Sequence, residues 1–329
     1  MNINPTVLSI LHNQDYSNFN IHCQVSDYDF ENPEHVFIYY DKHRLHFFGH
    51  KEASYVIKVR LNIMLSYIQS YFYTRKPNAQ IGFILGLGDS DEKSNSKNIP
   101  IISFTKKSNI NNILIPNVDF FTGTIHTHLT DVNRYDIDFN SKIDGSCFAG
   151  SSTGLMNGNK RVRYCLSRLN KNNHLAKITG ITQGTLGEWQ SVFPDIESII
   201  DNNYCTIQNQ LHYKIVANID GNTLCYSRLY WQILSNSAVV YIEPDTTYTQ
   251  FFDTDELSKF YFISSIEEVD NVYNYILDNN NRDIINKMNL DGQKYLKDCF
   301  DGYLLNKEQF LSNILVYVLD RLIESNNNE

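Results

Sequence analysis

Two aspartates follow an apolar segment in GFILGLGDSDEK, residues 82–93. Asp89 and Asp91 stand one residue apart, directly after the run that ends in Leu87 and Gly88. One of them could serve as a general base, because an aspartate with an ordinary pKa of about 4 is ionised at neutral pH. The pair could instead hold Mg²⁺ or Mn²⁺ as a D-x-D motif, since both ions accept carboxylate oxygens. A solvated acidic turn is the third interpretation, and it applies best to Asp91.

A second segment, residues 147–168, reads CFAGSSTGLMNGNKRVRYCLSR. The pattern predicts a strand, a turn of small residues and the start of a helix. Small residues such as Ser151, Thr153 and Gly154 let backbone N–H groups approach an anion, and a helix N-terminus adds partial positive charge. Arg161 or Arg163 would present a planar fork that suits phosphate oxygens. The alternative is an ordinary polar loop before a surface helix.

A third segment, residues 213–243, repeats this arrangement. A predicted strand runs into Asp220, Gly221 and Asn222, and a predicted helix carrying Arg228 leads to a second strand. Ligands of open α/β sheets bind at the carboxyl ends of parallel strands. Two turns of this kind in one chain favour a nucleotide diphosphate, although a plain βαβ unit with a surface arginine would look the same.

The segment TIHTHLTD contains a histidine pair. On a strand, His126 and His128 would point to the same face, and Asp131 could complete a metal site. Such pairs are more often structural, or polar groups of a binding surface, and we expect no metal here. His126 and His128 therefore count as candidate residues of a binding surface.

The elements that must position these residues alternate between strand and helix. Short β-branched and aromatic runs predict buried parallel strands: VFIYY (36–40), GFILGL (82–87), IPIISF (99–104), YKIVANI (213–219) and SAVVYI (237–242). Apolar residues at helical spacing predict helices over 53–72, 226–235 and 268–277. A final helix after Asn306 carries an apolar stripe, with Asn306 and Gln309 as a capping pair.

This alternation predicts a doubly wound α/β fold in two units. The polar, turn-rich residues 138–146 suggest the boundary. We therefore expect a Rossmann-like domain over 1–143, joined by the C-terminal helix 305–329, and a nucleotide-binding Rossmann-like domain over 144–304.

The composition narrows the class of protein. The chain has 329 residues, 42% of them hydrophobic and 20% charged, which is typical of a folded domain. A net charge of −9 argues against a nucleic-acid partner and against docking on anionic lipid by charge alone. The sequence shows no apolar run of about 20 residues, no secretory signal and no CxxC motif. These features predict a cytoplasmic protein with reduced cysteines, for which peripheral membrane contact is still possible.

The order of these motifs resembles glycosyltransferase family 90. In the first half of the match, an acid follows a strand in GFILGLGDSD, and the blocks IPIISFTKKSN and ILIPNVDFF come next. In the second half, the matching elements are the aromatic-x-G-S-x-T-G pattern with its arginine, the NIDGN…R-L block and the FF at 251–252. The family includes protein O-glucosyltransferases, capsule-associated xylosyltransferases and lipopolysaccharide sugar transferases. The resemblance covers roughly residues 80–300. Where the family has H-Y after the FF block, this chain has Phe260 and Tyr261.

The resemblance implies a GT-B fold, with two Rossmann-like domains facing across a cleft. The first would be the acceptor-side domain, and Asp91, His126 and His128 would be candidate residues on that side. It implies inverting transfer of glucose or xylose from a UDP-sugar to a hydroxyl of a glycan, glycolipid or protein, with no metal or other cofactor. Asp89 takes the position of the family's catalytic base, and Ser151 that of its donor-binding serine. Arg161 or Arg163 matches the loop arginine, and residues 221–228 match the second donor segment. A metal-dependent GT-A enzyme using Asp89 and Asp91, and a non-catalytic sugar-nucleotide or glycan-binding protein, are the alternatives.

Overall fold

A computed structural model describes residues 3–17, 19–28, 32–88, 98–107, 110–203, 205–222, 224, 226–252 and 254–326. The strands are β1 (His35–Tyr40), β2 (Leu45–Gly49), β3 (Ile81–Gly86), β4 (Ile101–Ser103), β5 (Thr105–Lys107), β6 (Ile113–Leu114), β7 (Ile143–Gly150), β8 (His174–Ile178), β9 (Tyr213–Ile219), β10 (Ala238–Ile242), β11 (Tyr248–Gln250) and β12 (Phe262–Ser264).

The α-helices are α1 (Pro5–His12), α2 (Tyr55–Arg75), α3 (Val118–Thr122), α4 (Thr124–Tyr135), α5 (Lys160–Arg168), α6 (Leu186–Val192), α7 (Ile207–Leu211), α8 (Tyr226–Leu234), α9 (Val269–Leu277), α10 (Arg282–Leu305) and α11 (Lys307–Asn326). The mixture confirms the predicted α/β class. Within the described ranges, no helix is both long and apolar enough to span a bilayer.

The chain divides into two compact units. Unit 1 comprises residues 1–123, 247–252 and 298–329, and unit 2 comprises residues 124–246 and 253–297. Helix α10 therefore begins in unit 2 and ends in unit 1. The facing arrangement of a GT-B enzyme stays a prediction.

Unit 1 contains a mixed sheet in the order β2-β1-β3-β4-β6. Strands β3, β4 and β6 run parallel, as predicted for two of the apolar runs, but β1 is antiparallel to both β2 and β3. The predicted parallel orientation of residues 36–40 is therefore wrong. The cause is a tight turn in which Asp41 Oδ1 accepts hydrogen bonds from the backbone of His43 (2.9 Å) and Arg44 (2.7 Å) and so reverses the chain.

The helices of unit 1 follow the predicted apolar stripes. Helix α2 begins after Ser54, whose hydroxyl accepts a hydrogen bond from Ile57 N at 3.3 Å. Helix α11 begins after Asn306, whose side chain accepts one from Gln309 N at 3.0 Å, so this half of the predicted cap is confirmed. The predicted stripe of α11 is buried throughout: Phe310, Leu311, Ile314, Leu315, Val318 and Leu322.

Unit 2 is built on one fully parallel sheet in the order β12-β10-β9-β7-β8. If the strands are numbered 1 to 5 in chain order from β7 to β12 and the sheet is read from β8, this is the doubly wound order 2-1-3-4-5. One face of the sheet packs against α5 and α9, where Tyr164 and Tyr273 share a buried hydrogen bond of 2.5 Å between their hydroxyls. Helices α4 and α8 contact each other away from that core cluster. The predicted strands over 213–219 and 237–242 and the helices over 226–235 and 268–277 are confirmed.

His174, at the start of β8, gives unit 2 a testable dependence on pH. Its ring stacks on Tyr273, and its Nδ1 lies 2.7 Å from Ser146 Oγ. Burial, and then the nearby Arg168 charge, lower the pKa of His174 below its usual 6.5, so folding favours the neutral ring. The stabilisation is complete above about pH 6.5 and is lost as the pH falls through the lowered pKa.

We expect the difference in unfolding free energy between the wild type and His174→Phe to shrink as the pH falls from 7 to 5. Phenylalanine keeps a ring at this position but cannot be protonated. Urea titrations at each pH measure the difference. A difference that stays constant with pH would contradict the role given to His174.

Candidate functional site

The topology of unit 2 creates a switch point between β7 and β9. From β7 the chain passes through α5 to β8 on one side, and from β9 it passes through α8 to β10 on the other. Loops that leave neighbouring strands in opposite directions open a crevice at the carboxyl edge, where ligands of such sheets bind. The two predicted phosphate loops, after Gly150 and after Ile219, both begin at this point.

Arg161, on the first turn of α5, joins these loops. Its side chain is buried, and Nε donates to the carbonyl oxygens of Ile219 (3.2 Å) and Asp220 (3.0 Å). Its Nη1 donates to the carbonyl of Ser151 at 3.0 Å and to the hydroxyl of Thr153. One guanidinium group therefore holds the ends of β7 and β9 together through hydrogen bonds made by a charged donor.

The close approach of the loops explains a predicted glycine. A Cβ at Gly221 would lie 2.6 Å from Thr153 Oγ1 and 3.0 Å from Arg161 Nη2, so a side chain there would force the loops apart. Gly154 has φ +113°, a conformation that disfavours other residues. Its N–H donates to the side-chain oxygens of Asn222 (3.0 Å) and Gln183 (3.1 Å). These contacts tie the first loop to the second and to the segment before α6.

Asp220 is buried at the end of β9. Its Oδ1 accepts a hydrogen bond from the hydroxyl of Tyr241 at 2.5 Å, and its Oδ2 accepts one from Asp245 N at 2.9 Å. The carboxylate thus anchors the loop that follows β10. These contacts indicate that Asp220 positions the backbone of that loop.

Arg228 brings a second guanidinium group to the same edge. It lies on α8, and its Cζ is 5.1 Å from the centroid of the Phe148 ring. A Cβ at Gly150 would lie 3.0 Å from Arg228 Nη2, so glycine at the end of β7 makes room for this side chain. Arg161 and Arg228 therefore converge on residues 150–151. In an otherwise acidic chain, they make the switch point cationic.

Arg163 has a different environment. It is half-exposed, and it pairs with Glu243 (3.3 Å) and Glu267 (2.9 Å). Because α5 advances by about 100° per residue, a side chain two positions after Arg161 points away from the crevice. Of the two arginines that the sequence offered, Arg161 is the one at the switch point.

Asp89 and Asp91 lie outside the described residues, so their predicted roles stay predictions. The described range before these aspartates ends at Gly88, and two charged residues lie next to its last residues. Arg60 Nη1 donates to the Leu87 carbonyl at 2.7 Å. The Glu34 carboxylate lies where a side chain at Gly88 would stand, only 1.8 Å from the position of its Cβ. Neither Arg60 nor Glu34 was predicted from the sequence, because both are distant from Gly88 along the chain.

The histidine pair does not lie on a strand. Residues 124–135 form α4, and on a helix positions i and i+2 point to different faces. His126 is exposed whereas His128 is partly buried, and both belong to unit 2. The premise of a shared face was therefore wrong. Within the described ranges, no group of three or more His, Cys, Asp or Glu side chains is arranged to hold a metal ion.

Several further residues that hydrogen-bond to the two loops were not predicted from the sequence. Ser152 is fully buried, and its hydroxyl accepts a hydrogen bond from Thr182 N at 3.3 Å. Asn159 caps α5, accepting from Val162 N at 3.1 Å and donating to Leu155 O at 3.1 Å. An asparagine just before the helical run KRVRYCLSR was a usable capping signal. Gln183 and Tyr241 gave no local signal, since their roles depend on tertiary contacts.

Two arginines on one helix give a matched test of the site. We expect Arg161→Met to lower the free energy of unfolding by about 3 kcal/mol, because it leaves several buried oxygens without their donor. We expect Arg163→Met to cost about 1 kcal/mol or less, since its ion pairs are partly solvated. Urea unfolding measures both values. Equal costs for the two variants would refute the distinction drawn between them.

Comparison with known proteins agrees with this geometry. The family model described as "Glycosyl transferase family 90" matches residues 87–303, about two thirds of the chain. The match includes Asp89, the loop after β7, Arg161, the loop after β9 and Arg228. No curated protein matches the chain. The extent of the family match identifies the protein as a member of glycosyl transferase family 90.

Proposed function

We propose that this glycosyltransferase binds the diphosphate of a UDP-sugar at the switch point of unit 2 and transfers the sugar with inversion, without a metal ion. The observation that carries the proposal is the convergence of Arg161 and Arg228 on the loop after β7. A sugar nucleotide brings two phosphate groups, and its diphosphate gains negative charge as the sugar departs. Fixed guanidinium groups and backbone N–H groups stabilise such charge without reorganising.

The roles proposed for the loops follow from their contacts. Arg161 donates to the backbone carbonyls of Ser151 and Asp220 and to the hydroxyl of Thr153, and so holds the loop N–H groups in one arrangement. Gly154 offers an N–H whose present acceptors are side-chain oxygens of Asn222 and Gln183. We propose that a phosphate oxygen of the donor replaces these two acceptors. Arg228 supplies charge at Gly150.

The proposed reaction is a single displacement at the anomeric carbon. The acceptor hydroxyl oxygen forms a bond to C1 of the sugar as the bond between C1 and the diphosphate oxygen breaks. The electron pair of that bond leaves with UDP, and the hydroxyl proton passes to the carboxylate of Asp89. Removing the proton during attack is general-base catalysis, and a nearby carboxylate also favours the positive charge that develops on the sugar.

The donor is proposed to be UDP-glucose or UDP-xylose, as the family resemblance implies. The acceptor is proposed to be a hydroxyl of a glycan, a glycolipid or a protein. His126 and His128 stay candidates for acceptor contacts. The exposed position of His126 on α4 is compatible with such a contact.

Release of UDP from a panel of UDP-sugars tests the proposal. We expect release from one donor, unchanged by EDTA, and about 10²–10⁴-fold slower in Asp89→Asn, because the variant lacks the base. UDP affinity should stay unchanged in this variant. Asp91→Asn is the matched control, and we expect it to keep activity within about threefold, since Asp91 is not assigned to the chemistry.

Other outcomes would replace the proposal with a stated alternative. Release that EDTA abolishes, together with loss of activity in both variants, would mean that Asp89 and Asp91 hold a metal ion. UDP binding with no sugar transfer to water, glycan or protein acceptors would indicate a sugar-nucleotide-binding protein. A fully active Asp89→Asn variant would exclude this residue as the base.

A further inference from the structure

We propose that unit 1 carries a separate binding site for a neutral saccharide in a groove between α2 and α11. The groove has a volume of about 350 Å³, and its lining includes Ser66, Tyr67, Ser70, Glu308, Gln309 and Ser312. All of them belong to unit 1, so the site is described without reference to unit 2. We call it the α2–α11 groove.

The size of the groove suits a small ligand. Sites for small molecules in proteins occupy roughly 300–1,000 Å³, and this volume lies at the lower end of that range. Most such sites are lined mainly by apolar side chains. The α2–α11 groove is lined by hydroxyl, amide and carboxylate groups instead. Its ligand must therefore be one whose surface is covered with hydrogen-bonding groups.

The lining can both donate and accept hydrogen bonds. Serine hydroxyls do both, and an ionised carboxylate only accepts. The Gln309 Nε2 already donates to Asn313 Oδ1 at 2.8 Å, so this side chain offers its oxygen as an acceptor. In the described part of the chain, no protein group hydrogen-bonds to the side chains of Ser70 and Ser312. A saccharide hydroxyl is itself a donor and an acceptor, so a ring with several hydroxyls matches this mixed lining.

Tyr67 and Glu308 give the groove a fixed wall. The Tyr67 hydroxyl donates a hydrogen bond to Glu308 Oε2, and the Tyr67 ring meets the Phe121 ring edge to face at 5.2 Å between centroids. The same hydrogen bond lowers the pKa of Glu308, which is therefore a carboxylate at neutral pH. An aromatic ring beside a carboxylate provides an apolar surface for sugar C–H groups and an acceptor for sugar hydroxyls.

The charges of the groove exclude anionic ligands. Glu308 is the charged residue of the lining, and a negatively charged ligand would be repelled by it. The neighbouring cation, Lys307, is held by Glu308 Oε1 at 3.2 Å and by the Phe121 carbonyl at 3.1 Å. Phosphates and uronates therefore fit poorly, and the mixed donor and acceptor lining favours a neutral polyhydroxylated ligand.

Binding of neutral tetrasaccharides tests the proposal. We would record saturation-transfer NMR of the whole protein with xylotetraose and maltotetraose, and with tetragalacturonate as the charged comparison. We expect at least one neutral oligosaccharide to bind and the uronate not to bind. Saturating UDP should leave the signal unchanged, because the groove is not the donor site. The result does not depend on the donor or the base proposed above.

Two variants on α2 locate the bound saccharide. Ser70→Phe fills the groove and should weaken binding at least about tenfold, whereas Gln69→Phe, at an exposed neighbour that does not line the groove, should change it less than about twofold. Glu308→Gln keeps the shape and should weaken binding through loss of the charged acceptor. Circular dichroism checks folding. No binding by either neutral tetrasaccharide, or equal binding by wild type and Ser70→Phe, would overturn the proposal.

Discussion

The site depends on one buried guanidinium group. Arg161 donates to carbonyl oxygens at the ends of both β7 and β9, two neighbouring strands whose loops leave in opposite directions. Without such a donor, several buried oxygens at the switch point would lack partners, which is costly in a protein interior. The constraint also accounts for Gly221, since a side chain there would meet Thr153 and Arg161. The cationic edge at which we place the donor diphosphate thus follows from a requirement of the fold.

This constraint separates residues that hold the site from residues that are free to bind a ligand. Arg161, Asp220 and Ser152 are buried, and each is hydrogen-bonded to other groups of the protein. The N–H of Gly154, in contrast, donates to the exposed side chains of Asn222 and Gln183, which a ligand can displace at modest cost. A variant of Arg161 therefore affects stability and donor binding together, and stability must be measured whenever such a variant loses activity.

Local patterns were sufficient for much of the fold. The strand-loop-helix segments around Gly154 and Gly221, the stripe of α11 and the α/β class all follow from short-range periodicity and turn residues. The antiparallel β1 was not predicted, because a buried strand reads the same in either direction and the turn at Asp41 decides the outcome. The helix over 124–135 was missed because the histidine pair was considered only as a strand feature.

Local patterns were also insufficient to assign every residue of the candidate site. The sequence pointed to the loops after β7 and β9 and to an arginine at residue 161 or 163. It could not choose between them, since the choice depends on Glu243 and Glu267, which are far away in the chain. Gln183, Tyr241, Arg60 and Glu34 were equally invisible, because each acts across more than twenty residues of chain. Motifs therefore locate the loops, and tertiary contacts decide what each side chain does.

Hydrogen–deuterium exchange with and without UDP tests the central claim most directly. If the diphosphate binds at the switch point, backbone amides of residues 151–159, and of the loop that begins at Asp220, should exchange more slowly when UDP is bound. Amides of α11, which lies in unit 1 beside the separate groove, should not change. Protection confined to segments other than these two loops would contradict the account, because it would place the donor away from Arg161 and Arg228.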